Sequence, residues 1–449
     1  MSYIELAADL RSAIEQQDTA AIRHLVAEMQ LADLAEFIQH EQEDTTLSLL
    51  DYLPLDERAS AFGYLEEETQ SALAAEMDDA TLAELLHHMS ADERADLFKL
   101  LDEARQQGLL RRLAHAERED IRKLASYEEG TAGALMTSEY VAVPAEMDVA
   151  TALEKVRRTG PNAETIYQIY CVDDEGRLIG TLSLREMILA NPHATLASLM
   201  VEELVVAKVD TPQEEVARLI SRYDLMALPV TNGGERLVGI VTYDDAMDVA
   251  EEEATEDMHK SVSVGKLEGG LRSASLFDLY RKRIVWLVLL VFANIFSGAG
   301  IAYFEETIEA YIALVFFLPL LVDSGGNAGS QAATLMVRGM ATGDVRTRDW
   351  ARLLGREVSV AIALGLTMAL AVSVVGIFRA GTEIAMVVAM SMVLIVIMGS
   401  LIGMILPFLL NRLGWDPATA SAPLVTSIAD AVGVLIYFAI ATAVLGLPA

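Results

Sequence analysis

Five apolar stretches, centred near residues 293, 322, 366, 396 and 433, crowd the last part of this chain. Each supplies the ~20 apolar residues that carry a helix across a bilayer. In lipid the backbone must satisfy its own polar groups, so everything after about residue 281 is constrained to a bundle of membrane helices. What precedes it obeys a different solvent. Residues from Leu276 onward hold 10 Lys and Arg against 11 Asp and Glu, so 32 of the chain's 33 net negative charges lie before them. That acidity excludes nucleic-acid binding, which needs basic surface. It suits a sensor of divalent cations, although acidic surface also serves plain solubility. Arg281-Lys-Arg283 precedes the first stretch, Glu305, Glu306 and Glu309 follow it, and Arg338, Arg346, Arg348, Arg352 and Arg356 follow the second. Basic flanks stay in the cytoplasm, which puts the acidic region inside the cell and the carboxyl terminus outside. Cys171 is the only cysteine, which excludes an internal disulfide and a Cys-based zinc cluster. Met1-Ser-Tyr-Ile-Glu5 lacks a basic and then apolar leader, so no cleavable signal peptide is expected.

Residues 1 to about 128 carry apolar residues at helical spacing in short runs, as in Leu31–Phe37 and Leu82–Leu86. Leu55-Asp-Glu-Arg-Ala-Ser-Ala-Phe62 and Ala91-Asp-Glu-Arg-Ala-Asp-Leu-Phe98 resemble each other closely. Self-similarity of this kind predicts stacked helical hairpins, an all-α superhelix. From Met136 short β-branched strands alternate with helices, and the pattern occurs twice. One copy runs from Leu135 through Ile169–Gly180 to Ser183-Leu-Arg-Glu186; the other runs from Leu199 through Ala227–Val230 and Glu235–Gly239 to Thr242-Tyr-Asp-Asp245. Strand, turn, Gly and the Ser/Thr-x-x-acid motif recur in register, and the two copies resemble a tandem pair of cystathionine-β-synthase (CBS) domains. The acidic run Glu251–Asp257 then leads through Gly265 and Gly269-Gly270 to a connecting helix predicted at Arg272 to Tyr280.

Asp430 is a single carboxylate inside the last apolar stretch. A charge at membrane depth costs on the order of 3 kcal/mol, so it faces a water path, a cation or a partner; the bland reading is a protonated Asp bonded to a neighbouring helix. The second stretch contains Pro319, Gly325, Gly326, Asn327, Gly329 and Gln331. Glycines and a proline at this density free backbone groups, tolerable where they line water, or let helices pack closely. The polar Asn327 and Gln331 favour a pore-lining role.

Pro319 to Gln331, the spacing from there to Asp430, the acidic helix after the second CBS repeat and the order of domains together resemble the MgtE magnesium channels. The resemblance spans essentially the whole chain. It implies a multidomain protein: a helical superhelix over 1–130, the α/β tandem CBS domains over 131–255, a connecting plug helix over 256–280, and a pore domain of five transmembrane helices over 281–449. It further implies a homodimer in the lipid membrane whose pore, at the dimer interface, imports Mg2+ held hydrated by Asp430, with Pro423 at the entrance. Keeping the water shell suits Mg2+, which dehydrates reluctantly. Regulatory Mg2+ would bind at Asp92 and Asp96 on the superhelix and at Glu214, Asp224, Asp245, Asp248, Glu253, Glu256 and Asp257 on the CBS side, closing the pore. Asp92 and Asp96, four residues apart on a helix, repel unless a cation bridges them. The chain departs from the family pattern at Ala422, where Asn is expected, and at Pro212, where an acid is expected.

Some members of the family bind ATP between the CBS repeats. Arg185, Glu186 and Asp245 are kept here, but Gln168 and Leu225 stand where aromatic stacking on adenine is expected, so ATP binding is predicted to be weak or absent. Two other function classes compete. A broader divalent carrier or ion-coupled exporter would use Asp430 in alternating access. An intramembrane aspartyl protease would pair Asp323 with Asp430, but neither lies in a Gly-x-Gly-Asp context and a protease gives the acidic region no purpose. No enzymatic role is expected.

Overall fold

A computed structural model describes residues 3–265, 274–345 and 347–446 and divides into two compact units, residues 1–251 and 252–449. In the first unit, helices of 8 to 13 residues follow one another from Tyr3 to Leu124. Asp18, Asp78 and Asp102 start three of them by accepting backbone N–H bonds, which supplies partners for otherwise orphaned donors. From the third helix onward each packs on the helix two places later. Leu31–Ile38, Leu55–Gly63, Asp79–His88 and Glu103–Leu110 form one row, and Glu43–Leu50, Glu67–Glu76, Ala91–Leu100 and His115–Leu124 form the other. Two stacked rows are the solenoid that the repeat predicts. Its matched positions do matched work, since Ala59 and Phe62 in one copy and Ala95 and Phe98 in the other are all buried.

The CBS pair follows as two three-stranded sheets with one topology. β1 (Ala142–Pro144) runs parallel to β2 (Gln168–Val172), which is antiparallel to β3 (Leu178–Ser183); β4 (Ala207–Lys208), β5 (Ala227–Thr231) and β6 (Leu237–Thr242) repeat the order. The register slips at the same place in both, between Cys171 and Val172 and between Val230 and Thr231. Each copy lends its leading segment to the other. Thr137 and Ile240 exchange backbone bonds of 2.8 and 3.0 Å, as do Thr181 and Val201 at 3.0 and 2.9 Å. Met136 then covers Gly239 and Met200 covers Gly180, where a Cβ would strike the methionine sulfur. Cys171 is free and buried in β2.

In the second unit the acidic run is the continuation of the Tyr243–Ser261 helix, which begins inside the first unit. Part of the predicted connecting helix, through Ser273, lies outside the described residues, as does Arg346. Leu276 to Tyr280 are not a separate helix but the first turns of the long helix Leu276–Tyr303, capped by Ser275. The helices Ala313–Ala341, Trp350–Arg412 and Ala422–Leu445 complete the bundle. Trp350–Arg412 breaks at Gly381, whose φ of 85° suits glycine, giving two helices from 63 residues. Among the described residues three helices are long and apolar enough to cross a membrane: Leu276–Tyr303, Trp350–Arg412 and Ala422–Leu445. Ala313–Ala341 has the length, 29 residues, but its polar and glycine positions dilute its apolarity.

The glycine-rich segment does not open its backbone. Ala313–Ala341 is continuous helix through Pro319, Gly325, Gly326 and Gly329. Gly325 and Gly329 are buried against the Trp350–Arg412 helix, and a Cβ at Gly399 would collide with the Gly325 carbonyl oxygen, one at Gly403 with that of Gly329. Close packing through small residues, rather than a freed backbone, explains these two glycines.

Candidate metal centres

The first centre is built by the Ala91–Leu100 helix. Its first turn carries Asp92 and Glu93, and Arg94 is buried in an ion pair of 2.9 Å with Glu139, just before β1. Asp92 Oδ1 is buried with no hydrogen-bond partner. Burial above all, and Asp96 in addition, push the Asp92 carboxyl up. Asp245, at the start of the Tyr243–Ser261 helix, accepts from the Thr242 hydroxyl and is pushed up to about 7 by burial and then by Asp92. Glu93 rises to about 7 by burial and then by Asp92. Glu164, in the coil before β2, rises to about 8 through burial and then through Asp92, Asp245, Glu93 and Glu139, although its exposed side lets water soften the repulsion. Glu139 is raised by burial despite Arg94.

These directions share two causes, burial first and then the convergence of carboxylates with little positive charge among them. An orphaned carboxylate oxygen in such a cluster fits a divalent cation. Among the described residues no three His, Cys, Asp or Glu side chains meet at direct ligating distance. Of the residues expected from sequence, the structure brings Asp92 and Asp245 together. Asp96 stands one turn on, exposed and paired with Lys99 at 2.8 Å. Glu214 and Asp224 occupy opposite ends of the Gln213–Tyr223 helix, which Pro212 caps, and Asp224 ends it with φ 52°. Asp248 is exposed, raised by burial and then by Asp244. Further along, Glu256 pairs with Lys260, which also binds Asp416 at 2.5 Å, and Asp257 is raised by burial and then by Asp416. Lys260 thus already supplies a cation beside Glu256. Glu253 lies half-buried on the same helix. Glu93, Glu139 and Glu164 were not expected: Glu93 was visible in the Asp-Glu-Arg repeat, whereas Glu164 lies in coil without periodicity.

The second centre lies in the apolar unit. Pro423 sits in the first turn of Ala422–Leu445, and its carbonyl accepts from the Thr426 and Ser427 hydroxyls, both at 2.9 Å. One turn on, Asp430 leans over the bare backbone of Gly326, where an added Cβ would meet Thr426 at 3.0 Å and Asp430 Oδ1 at 3.6 Å. Tyr437 donates to the Leu314 carbonyl at 3.0 Å and pins the two helices together. Pro319, Asn327 and Gln331 are exposed on one face of their helix, and Asn327 Nδ2 donates to Asp323 Oδ2 at 3.0 Å. Gly325, Gly326 and Gly329 are all buried, and of the three it is Gly326 that abuts Asp430.

Residues 318–440 match the MgtE family described as a divalent cation transporter, residues 29–130 match the MgtE intracellular N domain, and 132–192 and 196–252 each match the CBS domain. The magnesium transporter MgtE of Thermus thermophilus is 40% identical over 97% of this chain and 98% of its own length. The chain belongs to the MgtE family. The magnesium transporter MgtE of Bacillus subtilis is 34% identical over 99% of this chain and 98% of its own. The crystal structure of the cytosolic domain of the Mg2+ channel MgtE in complex with ATP, 40% identical, covers 54% of this chain and 99% of its own with a TM-score of 0.52. The helical N-terminal domain, the tandem CBS domains and the apolar C-terminal helices are thus the parts of an MgtE magnesium transporter.

Proposed function

We propose that this MgtE protein is a Mg2+-selective channel that imports Mg2+ and closes when cytosolic Mg2+ binds between its acidic domains. The observation that carries the reading is Asp430 set over Gly326 in the apolar unit, a half-buried carboxylate among membrane helices. A hydrated Mg2+ passing there meets an acceptor without giving up its shell. Two copies form the pore, each facing the other with Asp430, and the amino-terminal unit lies in the cytoplasm. The regulatory ion bridges Asp92 and Asp245, where an unpartnered oxygen and repelling carboxylates favour the compact form only when a cation is bound. ATP binds weakly, because Gln168 and Leu225 offer no aromatic stack. The test is Mg2+ flux into liposomes holding the full-length protein, with Asp430→Asn beside the wild type. Loss of flux by a correctly inserted, dimeric variant is expected, and normal flux removes Asp430 from the path. Wild-type flux that needs a counter-ion gradient and never yields single-channel current would instead identify a coupled carrier.

A further inference from the structure

Asp323 lies ten residues into the 29-residue helix Ala313–Ala341, which packs among the apolar helices, and is exposed. Pro319, Asp323, Asn327 and Gln331 recur every fourth residue and form one exposed stripe, while Leu314, Phe317, Leu321, Ala328 and Ala332 are buried on the other side of the helix. A stripe of this kind facing lipid would be costly, so it faces water or a second copy. It runs past Gly326, over which Asp430 leans and which is three residues from Asp323, so the two carboxylates stand within about one helical turn of the same glycine. Asn327 occupies one oxygen of Asp323 through a neutral bond, which leaves the charge in place. Among the described residues neither Asp323 nor Asp430 has an ion pair.

We propose that Asp323 is a second carboxylate of the permeation path, a specificity-determining residue one helical turn from the Asp430 level that favours a divalent ion over a monovalent one. The inference rests on the reading of Asp430 as path-lining. A charge acts on a divalent ion with twice the energy it exerts on a monovalent one. With the ion about 6 Å away across its hydration shell and water between, removing one charge weakens a divalent ion about tenfold and a monovalent one about threefold. Asp323 therefore sets affinity and selectivity, whereas Asp430 is required for flux.

The experiment measures Mg2+ uptake and Na+ current in liposomes holding full-length wild type, Asp323→Asn, Asp323→Glu and Asp430→Asn. Asp323→Asn is expected to raise the half-saturating Mg2+ about tenfold with maximal flux retained, to raise Na+ permeability relative to Mg2+, and to be rescued by Asp323→Glu. If Asp323→Asn keeps wild-type half-saturation and selectivity while Asp430→Asn is dead, the inference alone falls. Wild-type flux in Asp430→Asn overturns the underlying reading instead. Should Asp323→Asn fail to fold, Asp323→Cys decides the matter, since the native Cys171 is buried and leaves a silent background. A negatively charged thiosulfonate reagent is then expected to restore Mg2+ affinity and a positively charged one to abolish it; equal effects of the two refute the proposal.

Discussion

Replacing Asp245 by Asn should stabilise the soluble unit in the absence of Mg2+ and strip it of most of its response to Mg2+. Asp245 is half-buried beside Asp92, and its carboxyl rises from 3.8 to about 7. A carboxyl raised in the folded state holds its proton more tightly there than in the unfolded chain. Its contribution is therefore fully present below the unfolded value and is lost as pH rises through the folded one. The shift spans about 3 pH units, equivalent to about 4 kcal/mol, and residual solvent access reduces this to about 2 kcal/mol. For a unit of this size each kcal/mol moves the midpoint by about 2–4 °C. Asn keeps an acceptor for the Thr242 hydroxyl and carries no charge, so above pH 7 the variant should melt about 4–8 °C higher than the wild type, with the gap closing near pH 4. Saturating Mg2+ should reverse the order, because a ligand at a hundred times its Kd adds about 2.7 kcal/mol to the wild type. The assay is circular-dichroism melting of residues 1–251, a compact unit whose counterparts in relatives form crystals on their own. An Asn variant that melts below the wild type at pH 8 without Mg2+, or that Mg2+ stabilises as much as the wild type, refutes the reasoning.

Two further outcomes test the second unit. Gly399→Ala drives a methyl toward the Gly325 carbonyl and should cost about 1–3 kcal/mol or more, whereas Gly298→Ala, with nothing within 4 Å, should be tolerated; melting of the detergent-solubilised protein compares them. Lys260→Met removes the bridge to Asp416 and leaves the Ser263–Ser421 bond of 2.6 Å to hold that segment, so hydrogen exchange across residues 258–265 should rise in the full-length protein, and unchanged exchange would show the bridge to be idle.

The sequence announces what depends on local pattern and hides what depends on partners. Asp430 stands out in the sequence because one charge in an apolar run has few reasons to be there. Gly325 and Gly329 do not, because a stripe of small residues reads the same whether it lines water or packs on a helix. The deciding partners, Gly399 and Gly403, stand more than seventy residues away. The repeat shows the same limit in the soluble unit. Asp56 and Asp92 occupy equivalent positions in two nearly identical segments, yet Asp56 is 87% exposed and bonded to His88 at 2.6 Å, whereas Asp92 has a buried orphan oxygen. Repetition fixes the helix and its core face; what the outward residue meets is set by the domain packed against it. Here that is the CBS pair, which brings Glu139, Glu164 and Asp245 to one copy of the repeat and not to the other.

On the proposal that this cluster holds the regulatory ion, that encounter links Mg2+ to protons. Burial first and neighbouring carboxylates second push Asp245 and Glu93 up to about 7 and Glu164 up to about 8. Near neutral pH the ion-free cluster retains protons, held there by burial first and by repulsion in addition. A divalent cation bound beside Asp92 would relieve the repulsive part of this effect, lower the neighbouring carboxyls and release protons. Binding at one carboxylate thereby ionises its neighbours and improves the site for the same ion, a source of steepness that needs no second conformational change. The apparent affinity for Mg2+ must then rise with pH up to about 8 and level off above it, and a fall over that range would mean that the carboxylates act separately.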